Sequence, residues 1–266
     1  MASEIKVDTI VNAGGDNDSG IDLATNDVVA VKTANTERMR VDASGNVGIG
    51  TTPSQALHVS ASNPFLELQG TATTSGDTGI FLNANANHWI LKADNYSSTN
   101  AFQIKQGDTS SSTAFMTIDS IGAVTKPLQP ACLVRAAANS NFAVNTTHTV
   151  NYTTEVYDQN GDFSTTDNQF TAPVTGRYLI NQSLYYNNVV SNATYLSAFI
   201  YTSNRTYVSI INPAAFDQDS GYHTLNISVV ADLDANDVVQ SRYYQAGGSA
   251  TTDLVAETFL SVCLLA

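Results

Sequence analysis

Carboxylates are the residues of this 266-residue chain whose type and spacing could do chemistry. The candidates are two clusters, Asp217/Asp219 and Asp232/Asp234/Asp237. Paired carboxylates can cleave a glycosidic bond, and carboxylate oxygens also bind Ca²⁺. Both clusters lie among Asn, Gly and Ser residues, which favour turns. We therefore interpret them as turn residues. Polysaccharide hydrolysis is left as an alternative.

The histidines give no sign of a metal or catalytic site. None of the four has a cysteine or carboxylate beside it at metal-ligand spacing. The chain also lacks a phosphate-binding loop and a G-x-S-x-G nucleophile motif. We therefore expect a protein that is not an enzyme, with no catalytic residues, no cofactor and no bound metal. The histidines are His58, His88, His148 and His223.

Composition predicts a polar β protein. Hydrophobic residues make up 42% of the chain and charged residues only 13%, with a net charge of −13. An acidic chain without a basic patch argues against binding to nucleic acid or to an anionic membrane. The N-terminus, MASEIKVDTI, lacks a basic region followed by an apolar run, and no stretch is long enough to span a bilayer. We expect synthesis in the cytoplasm without a signal peptide, and no membrane insertion.

Residues 170–178, FTAPVTGRY, predict two strands joined by a corner. Pro173 has no N–H for a strand ladder, and it pushes Ala172 toward extended geometry. Gly176 can adopt a positive φ, which suits the end of a tight turn. Strand-forming residues flank the corner on both sides. From spacing alone, a single β-hairpin would explain the segment.

The pattern F-T-A-P-x-x-G-x-Y resembles a signature of the globular head of the first complement component, a family that shares its jelly roll with tumour necrosis factor. Residues 221–230 resemble a late strand of that family, and 258–262 resemble its closing strand. Residues 233–239 resemble its L-x-x-G-D-x-V turn, with Asn236 where the family usually has Gly. Asn also tolerates a left-handed conformation. The signature residues are Phe170, Pro173, Gly176 and Tyr178. Heads of this family sometimes bind calcium, so the resemblance leaves calcium binding by Asp217 or Asp219 as an alternative.

This resemblance implies that the first and last strands of the head are antiparallel neighbours. Cys132 begins the first strand and Cys263 lies near the end of the last, so we expect both in the same layer, within side-chain reach. Reduced, buried thiols are expected, because no oxidising compartment is implied. Loss of residues 260–266 is expected to destabilise the head, because they would belong to a central strand.

The N-terminal region resembles phage fibre proteins. Residues 4–12 alternate Ile5, Val7 and Thr9 with Lys6 and Asp8, which predicts a short strand. The opening K-V-D-T-I-V-N-A is similar to the amino-terminal segment of phage tail-fibre and other virion proteins. Residues 37–53 resemble the R-x-x-G-N-V-G-I-G-T unit of phage fibres and of bacterial trimeric surface proteins. Residues 39–47 and 116–124 also share the frame M-x-[VI]-D-x-x-G-x-V. This repeat predicts one strand–turn–strand device used twice.

The region between these repeats is poor in bulky core residues. Residues 57–118 contain six of the 23 aromatic residues, whereas residues 142–259 contain 17. A monomer with so thin a core would be marginally stable. Intertwining three copies would bury each strand's apolar face and remove exposed edges. The sequence therefore predicts an elongated trimeric β shaft. Its predicted strands are 56–59, 65–68, 79–82, 88–92, 101–104 and 114–118.

The predicted fold class is all-β, with an elongated N-terminal β shaft and a C-terminal jelly-roll sandwich, assembled as a homotrimer. We assign residues 1–52 to a virion-anchoring segment, 53–126 to a small shaft module and 127–266 to the head. Residues 126–130, KPLQP, are expected to form a stiff, extended linker. The predicted strands of the head are 131–137, 147–157, 168–171, 177–188, 194–201, 205–211, 222–230, 237–244 and 254–264.

Two tyrosine pairs are candidate contact residues. Neighbouring residues of a strand face opposite sides, so one member of Tyr185-Tyr186 and one of Tyr243-Tyr244 should point outward. The outward ring could pack at a trimer interface or contact a receptor. Loops at the far end of the head are further candidates. These loops are 158–166, 187–193, 212–221 and 245–253.

The sequence thus predicts a non-enzymatic phage virion fibre that recognises a host surface by trimeric adhesion. Its expected partners are two further copies, a tail, baseplate or capsid protein at the N-terminus, and a host glycan or protein. The alternatives are a polysaccharide-degrading tail spike and a structural decoration fibre of the capsid or tail that binds no receptor.

Overall fold

The computed structural model describes residues 7–11, 18–69, 78–84, 87–94, 101–107, 114–138, 142–249 and 252–266. The chain forms two compact units, residues 1–69 and residues 70–266. Within the described ranges the secondary structure is β-strand and one short 3-10 turn at Pro213–Ala215, without an α-helix. The all-β prediction is therefore confirmed. No described helix is long and apolar enough to cross a membrane. The domain boundaries at 52/53 and 126/127 stay predictions.

Sheet 1, in the first unit, is a single layer of six strands in chain order. Its first five strands form an antiparallel meander, and the sixth pairs in parallel with the fifth. Residues 4–6 and 12 of the strand expected at 4–12 lie outside the described residues. The strands are β1 Thr9–Val11, β2 Gly20–Asp22, β3 Val29–Thr33, β4 Thr36–Val41, β5 Val47–Ile49 and β6 Leu57–Val59.

One face of sheet 1 is apolar across all six strands, and we call it the apolar face of sheet 1. Residues that oppose each other in a ladder point to the same side. On that side the register aligns apolar side chains of neighbouring strands in two rows. Most of these side chains are more than one-third exposed. No described residue of this unit covers them as a second layer. The rows are Ile10, Ile21, Val31, Met39, Ile49 and Val59, and Val29, Val41, Val47 and Leu57.

Sheet 2, in the second unit, is a five-stranded antiparallel layer with the order β11-β10-β9-β8-β7. It also has an apolar side, where Ile80, Leu91, Ile104 and Met116 oppose one another from strand to strand. Leu82 on that side is 54% exposed. The strands are β7 Thr78–Ala84, β8 Asn87–Asp94, β9 Ala101–Gln106, β10 Ala114–Ile118 and β11 Val124–Thr125.

The repeated sequence frame builds the same turn twice, as predicted. In the β4–β5 turn, one side-chain oxygen of Asp42 accepts from the amides of Ser44 and Asn46, at 2.9 Å each, and Gly45 has φ +81°. In the β10–β11 turn, Asp119 accepts from the amides of Ile121 and Ala123, at 3.0 and 2.8 Å, and Gly122 has φ +86°. The two turns therefore share two features. A carboxylate accepts hydrogen bonds from two backbone amides, and a Gly adopts a positive φ.

The head is a sandwich of two antiparallel sheets with jelly-roll strand order. Sheet 3 runs β14-β12-β23-β17-β20, with β22 beside β17; sheet 4 runs β15-β16-β21-β18-β19, with β13 beside β21. Sheet 3 contains β12 Ala131–Ala136, β14 Tyr152–Asp158, β17 Gly176–Val189, β20 Ser220–Leu233, β22 Asp253–Leu254 and β23 Phe259–Leu264. Sheet 4 contains β13 Thr147–Thr149, β15 Phe163–Ser164, β16 Gln169–Thr171, β18 Ala193–Thr202, β19 Thr206–Ile211 and β21 Val238–Gly247.

The Pro-Gly corner carries the chain from one sheet to the other. β16 before it belongs to sheet 4 and β17 after it belongs to sheet 3, so the hairpin interpretation is wrong. Phe170 and Tyr178 are both buried between the sheets, with ring centroids 5.8 Å apart. The corner also pairs with the 234–237 turn, because Ala172 accepts from Asn236 N at 2.7 Å. The two segments that resembled the complement-head family thus meet in space.

Gly176 is required for close approach and not for a positive φ. It is not among the residues with positive φ. A Cβ at this position would lie 2.7 Å from both the Ala266 carbonyl oxygen and Leu264 Cδ1. Asn236, in contrast, does have the expected left-handed conformation, with φ +75°.

The core of the head lies between sheets 3 and 4 and contains most of its large apolar side chains. It includes four fully buried tyrosines, Tyr152, Tyr178, Tyr186 and Tyr243. Gln182 of β17 crosses the core, and its amide nitrogen donates to Phe199 O and to Ser241 Oγ in sheet 4. This buried amide fastens one sheet to the other.

Three predictions of local structure are wrong. Residues 65–68 form no strand, and Phe65 is 91% exposed. The 126–130 linker is not extended, because Gln129 N donates to Lys126 O to close a turn. The strand expected at 147–157 is two strands, β13 in sheet 4 and β14 in sheet 3. The linker turn is held to the head by side chains of the 158–166 loop, including Gln159.

The cysteines lie on neighbouring strands but face opposite sides. β12 and β23 are antiparallel partners, as the resemblance implied. Cys132 opposes Val262 and points into the core, whereas Cys263 opposes Ala131 and points outward. Consecutive positions of a ladder alternate between faces, so the expected shared layer is wrong. Both cysteines are free thiols.

Candidate binding surfaces of the head

Each tyrosine pair divides between the core and the surface, as the alternation of strand side chains predicted. Tyr186 and Tyr243 are buried, with ring centroids 5.9 Å apart, and burial raises the pKa of both hydroxyls. Tyr185 and Tyr244 are partly exposed, on opposite outer faces of the sandwich. A contact role is therefore open to Tyr185 and Tyr244 only.

The outer face of sheet 3 is uncharged over most of its area. Its outward side chains form an apolar group at the end where the chain enters the head, and an aromatic group at the other end. The apolar group contains Leu179, Val230 and Cys263, which oppose one another across three strands. In the aromatic group, Tyr185 and Tyr222 have ring centroids 5.4 Å apart.

Between these groups runs a polar ladder on the same face. Ser228 Oγ donates to Asn181 Oδ1 at 2.7 Å, and Asn181 Nδ2 donates to Ser261 Oγ at 3.4 Å. The charged residues of this face lie at its margins, where Arg177 pairs with Asp232 at 3.5 Å and Arg135 is exposed. In a chain with a net charge of −13, this face can meet another copy of itself without like-charge repulsion.

The outer face of sheet 4 combines aromatic rings with one arginine. Tyr195 of β18 stacks on Tyr244 of β21, with ring centroids 5.7 Å apart and planes 30° apart. Farther along the same strands, the Arg242 guanidinium lies 3.7 Å from the centroid of the Tyr201 ring. Arg242 Nε and Nη2 both donate to Gln240 Oε1, at 3.1 and 2.5 Å. Gln240 and Tyr201 thus both position the guanidinium on this face.

The sequence did not single out Arg242, Tyr195 or Tyr201. Aromatic residues occupy three of the four alternate positions of β18 in the segment 195–201, YLSAFIY, and this signal is visible in the sequence. The contact with Arg242 depends on the register between β18 and β21, which opposes Tyr201 to Gln240 and Phe199 to Arg242. That register is not visible in either strand alone.

Three of the four loops predicted as contact candidates come together at one end of the head, which we call the distal end. Asn192 Nδ2 donates to Ser249 Oγ at 2.8 Å, and Asp219 accepts from both the amide and the hydroxyl of Ser191. These bonds link the loops 187–193, 212–221 and 245–253. The fourth loop, 158–166, packs on the 126–130 turn at the opposite, proximal end.

The carboxylate clusters stabilise turns at opposite ends of the head. At the distal end, the hydrogen bonds from Ser191 lower the pKa of Asp219. At the proximal end, Asp237 Oδ2 accepts from Asp234 N at 2.8 Å and from Asn204 Nδ2 at 2.6 Å. The two clusters therefore cannot supply one acid–base pair. No group of three or more His, Cys, Asp or Glu residues in the described part of the chain could hold a metal ion.

Comparisons with solved structures match about half of the chain. The chain resembles the globular domain of a zebrafish complement 1qA protein, with 17% identity and a TM-score of 0.42, over 52% of this chain and 98% of that chain. It also resembles murine APRIL, in crystal structures at pH 8.0 and pH 8.5. These matches have 15% and 14% identity and TM-scores of 0.40 and 0.37, over 52% and 51% of this chain and 99% of theirs. No protein-family model and no curated protein matches the chain. The jelly-roll architecture is given by the strand order of sheets 3 and 4.

Proposed function

We propose that the chain is the subunit of a homotrimeric phage virion fibre, whose N-terminal part attaches to the tail or capsid and whose head adheres to the host surface. Three identical heads would convert weak contacts into tight attachment, because the second and third contacts become intramolecular. The observation that carries this proposal is the apolar face of sheet 1.

A single-layer sheet with ten apolar residues on one side requires a covering layer in water. The exposed residues include Leu57 at 59% and Ile10 at 53%. Monomeric soluble proteins rarely leave so continuous an apolar surface uncovered. Its opposite face carries the ion pairs Asp22–Lys32 and Glu37–Arg40, which suit contact with solvent. We assign the cover to the same sheet of further copies, so that the trimeric assembly expected of residues 57–118 would also include the segment 1–52.

The head supports the same assembly through the outer face of sheet 3. Its apolar group, polar ladder and aromatic group follow one another along the outward-facing positions of β17, β20 and β23. No charged residue of these strands lies between them on that face. Burial of such a face between copies costs no desolvation of an unpaired ion. The outer face of sheet 4 and the distal loops then remain available for a receptor.

Native mass spectrometry of the full chain tests the assembly. The expected mass is three times 28.3 kDa, about 85 kDa. Val230→Asp places a carboxylate on the outer face of sheet 3, and we expect it to weaken or abolish the trimer. Val208→Asp is the matched control, because Val208 is equally exposed, at 51% against 52%, but lies on the outer face of sheet 4. A monomeric wild-type chain would refute the proposal.

Attachment is tested separately from assembly. Immunogold labelling with antibodies against the chain should mark fibres on the virion, and free protein should block phage adsorption to its host. Labelling without an adsorption block would favour a structural fibre that binds no receptor. Release of reducing ends from purified host polysaccharide would favour a degrading spike instead.

A further inference from the structure

The outer face of sheet 4 contains a cation without an acidic partner. The net charge of the chain is −13, yet no described carboxylate forms an ion pair with Arg242. Gln240 Oε1 accepts from two of the five N–H donors of the guanidinium, at Nε and Nη2. Three donors remain, and the guanidinium carbon lies over the Tyr201 ring, 3.7 Å from its centroid.

Aromatic rings and hydroxyls surround this cation on a flat, partly exposed surface. The Tyr195–Tyr244 stack lies toward the distal end, and Tyr244 is two residues from Arg242, roughly 7 Å along the strand. The edge facing β13 carries Thr147 opposite Tyr244 and Thr149 opposite Arg242, and both threonines are exposed. A polar ligand that contains a ring could therefore contact an aromatic surface, hydroxyl groups and a positioned cation within roughly 7 Å along the strand.

We propose that the outer face of sheet 4 binds a saccharide that carries a carboxylate, with the sugar ring on the Tyr195–Tyr244 stack and the carboxylate on Arg242. The fork of an arginine matches the two oxygens of a carboxylate, and such bonds are stronger than bonds between neutral groups. A rigid aromatic surface offers contact area at low entropic cost. The uncompensated charge selects an acidic sugar over a neutral one.

This inference rests on the proposed function, because it names the ligand class of the adhesive head. It also fits the proposed assembly. Sheets 3 and 4 are the two layers of one sandwich, so their outer faces point in opposite directions. A trimer built on the outer face of sheet 3 would leave the outer face of sheet 4 open on every head.

Isothermal titration of the full chain with two matched tetrasaccharides tests the inference. Tetragalacturonate and tetragalactose share the ring and differ mainly in the carboxylate at C6. We expect the acidic sugar to bind and the neutral one to bind at least about tenfold more weakly, with a difference that shrinks as salt rises. Equal affinity for the two sugars, or binding of neither, would overturn the inference.

Arginine variants locate the site. Arg242→Gln should lose about tenfold to a hundredfold in affinity for tetragalacturonate, whereas Arg242→Lys should keep part of it, because the charge remains and the fork is lost. Arg205→Gln is the matched control, since it removes the same charge from an exposed turn. Unchanged affinity in Arg242→Gln, or an equal loss in Arg205→Gln, would contradict the site.

A measurement on the wild-type chain tests the site without a substitution, so its result does not depend on whether a variant folds. Ring signals of ¹³C-labelled tyrosine should shift for Tyr195, Tyr201 and Tyr244 on addition of tetragalacturonate, and those of Tyr185 and Tyr222 should not. Shifts confined to the second group would overturn the inference. Cell attachment that persists in Arg242→Gln with a normal trimer mass would refute this site and leave the adhesive function standing.

Discussion

The hydroxyl of Tyr178 donates a hydrogen bond to the carbonyl oxygen of Val174, 2.7 Å away, and closes the corner through which the chain passes from sheet 4 to sheet 3. The ring is fully buried against Phe170, while its hydroxyl holds the backbone of the corner. One residue thus joins the core to the turn.

Tyr178→Phe should separate these two roles. The ring and its packing remain, and only the hydrogen bond to Val174 is lost. We expect a loss of about 1 kcal/mol in the free energy of unfolding, measured by denaturant titration at fixed protein concentration. Tyr157→Phe, on an exposed tyrosine of edge strand β14, should leave stability unchanged. Equal losses of unfolding free energy in the two variants would show that the Tyr178 hydroxyl stabilises the head no more than an exposed hydroxyl does.

Gly176→Ala should destabilise the head through a steric clash. The added methyl group would approach both the Ala266 carbonyl oxygen and Leu264 to 2.7 Å. Strand β23 would have to shift, at a cost of about 1–3 kcal/mol by analogy with overpacked cores. Gly221→Ala is the matched control, because nothing lies within 4 Å of its added Cβ and its φ is not positive. If both variants unfold at the same denaturant concentration, close approach is not why residue 176 is Gly.

Asn236 should tolerate Gly better than a branched residue. Its φ of +75° lies in the left-handed region, which Gly adopts freely and a β-branched residue does not. We expect Asn236→Gly to be nearly neutral, and Asn236→Val to lose about 1–2 kcal/mol of unfolding free energy. Thermal unfolding of the two variants side by side measures this difference. A Val variant as stable as the Gly variant would contradict the backbone argument.

The β4–β5 turn should weaken in acid. Hydrogen bonds from Asn46 and Ser44 lower the pKa of Asp42 from its usual value. The stabilising contribution is therefore complete above the unfolded-state pKa, and it is lost as the pH falls through the lower folded-state pKa. Amide hydrogen exchange at Asn46 should accelerate in that range. Asp42→Asn should abolish the pH dependence, since an amide oxygen accepts at every pH. A wild-type profile as flat as that of the variant would show that the carboxylate does not hold the turn.

The two cysteines should differ in reactivity. Burial raises the pKa of Cys132 to about 12, so its thiol stays protonated and resists iodoacetamide at pH 8. Cys263 lies on the outer face of sheet 3, and we expect the assembled protein to protect it and the Val230→Asp variant to expose it. Mass spectrometry of digested samples reports each site, and denatured protein should be modified at both. Rapid labelling of Cys263 in the native assembly would place the self-association surface elsewhere.

Local chemistry in the sequence predicted much of the head and little of its long-range pairing. Pro173 fixed the position of the corner, and the alternation of Tyr185 and Tyr186 fixed which ring is buried, because both depend on neighbours along the chain. The crossing between sheets at the corner, and the division of β13 from β14, depend on partners far away in sequence. For the same reason the Arg242–Tyr201 contact could not be predicted, since it requires the register of two strands about 40 residues apart.

The apolar face of sheet 1 has a consequence for how the protein folds. Under the proposed assembly, the layer that shields these side chains belongs to another copy, so native sheet 1 forms only after chains collide. The slow phase of refolding should then accelerate with protein concentration, and dilute chains should linger as partly folded species prone to aggregation. The yield of refolded protein would therefore depend on how often chains collide with one another as much as on the sequence.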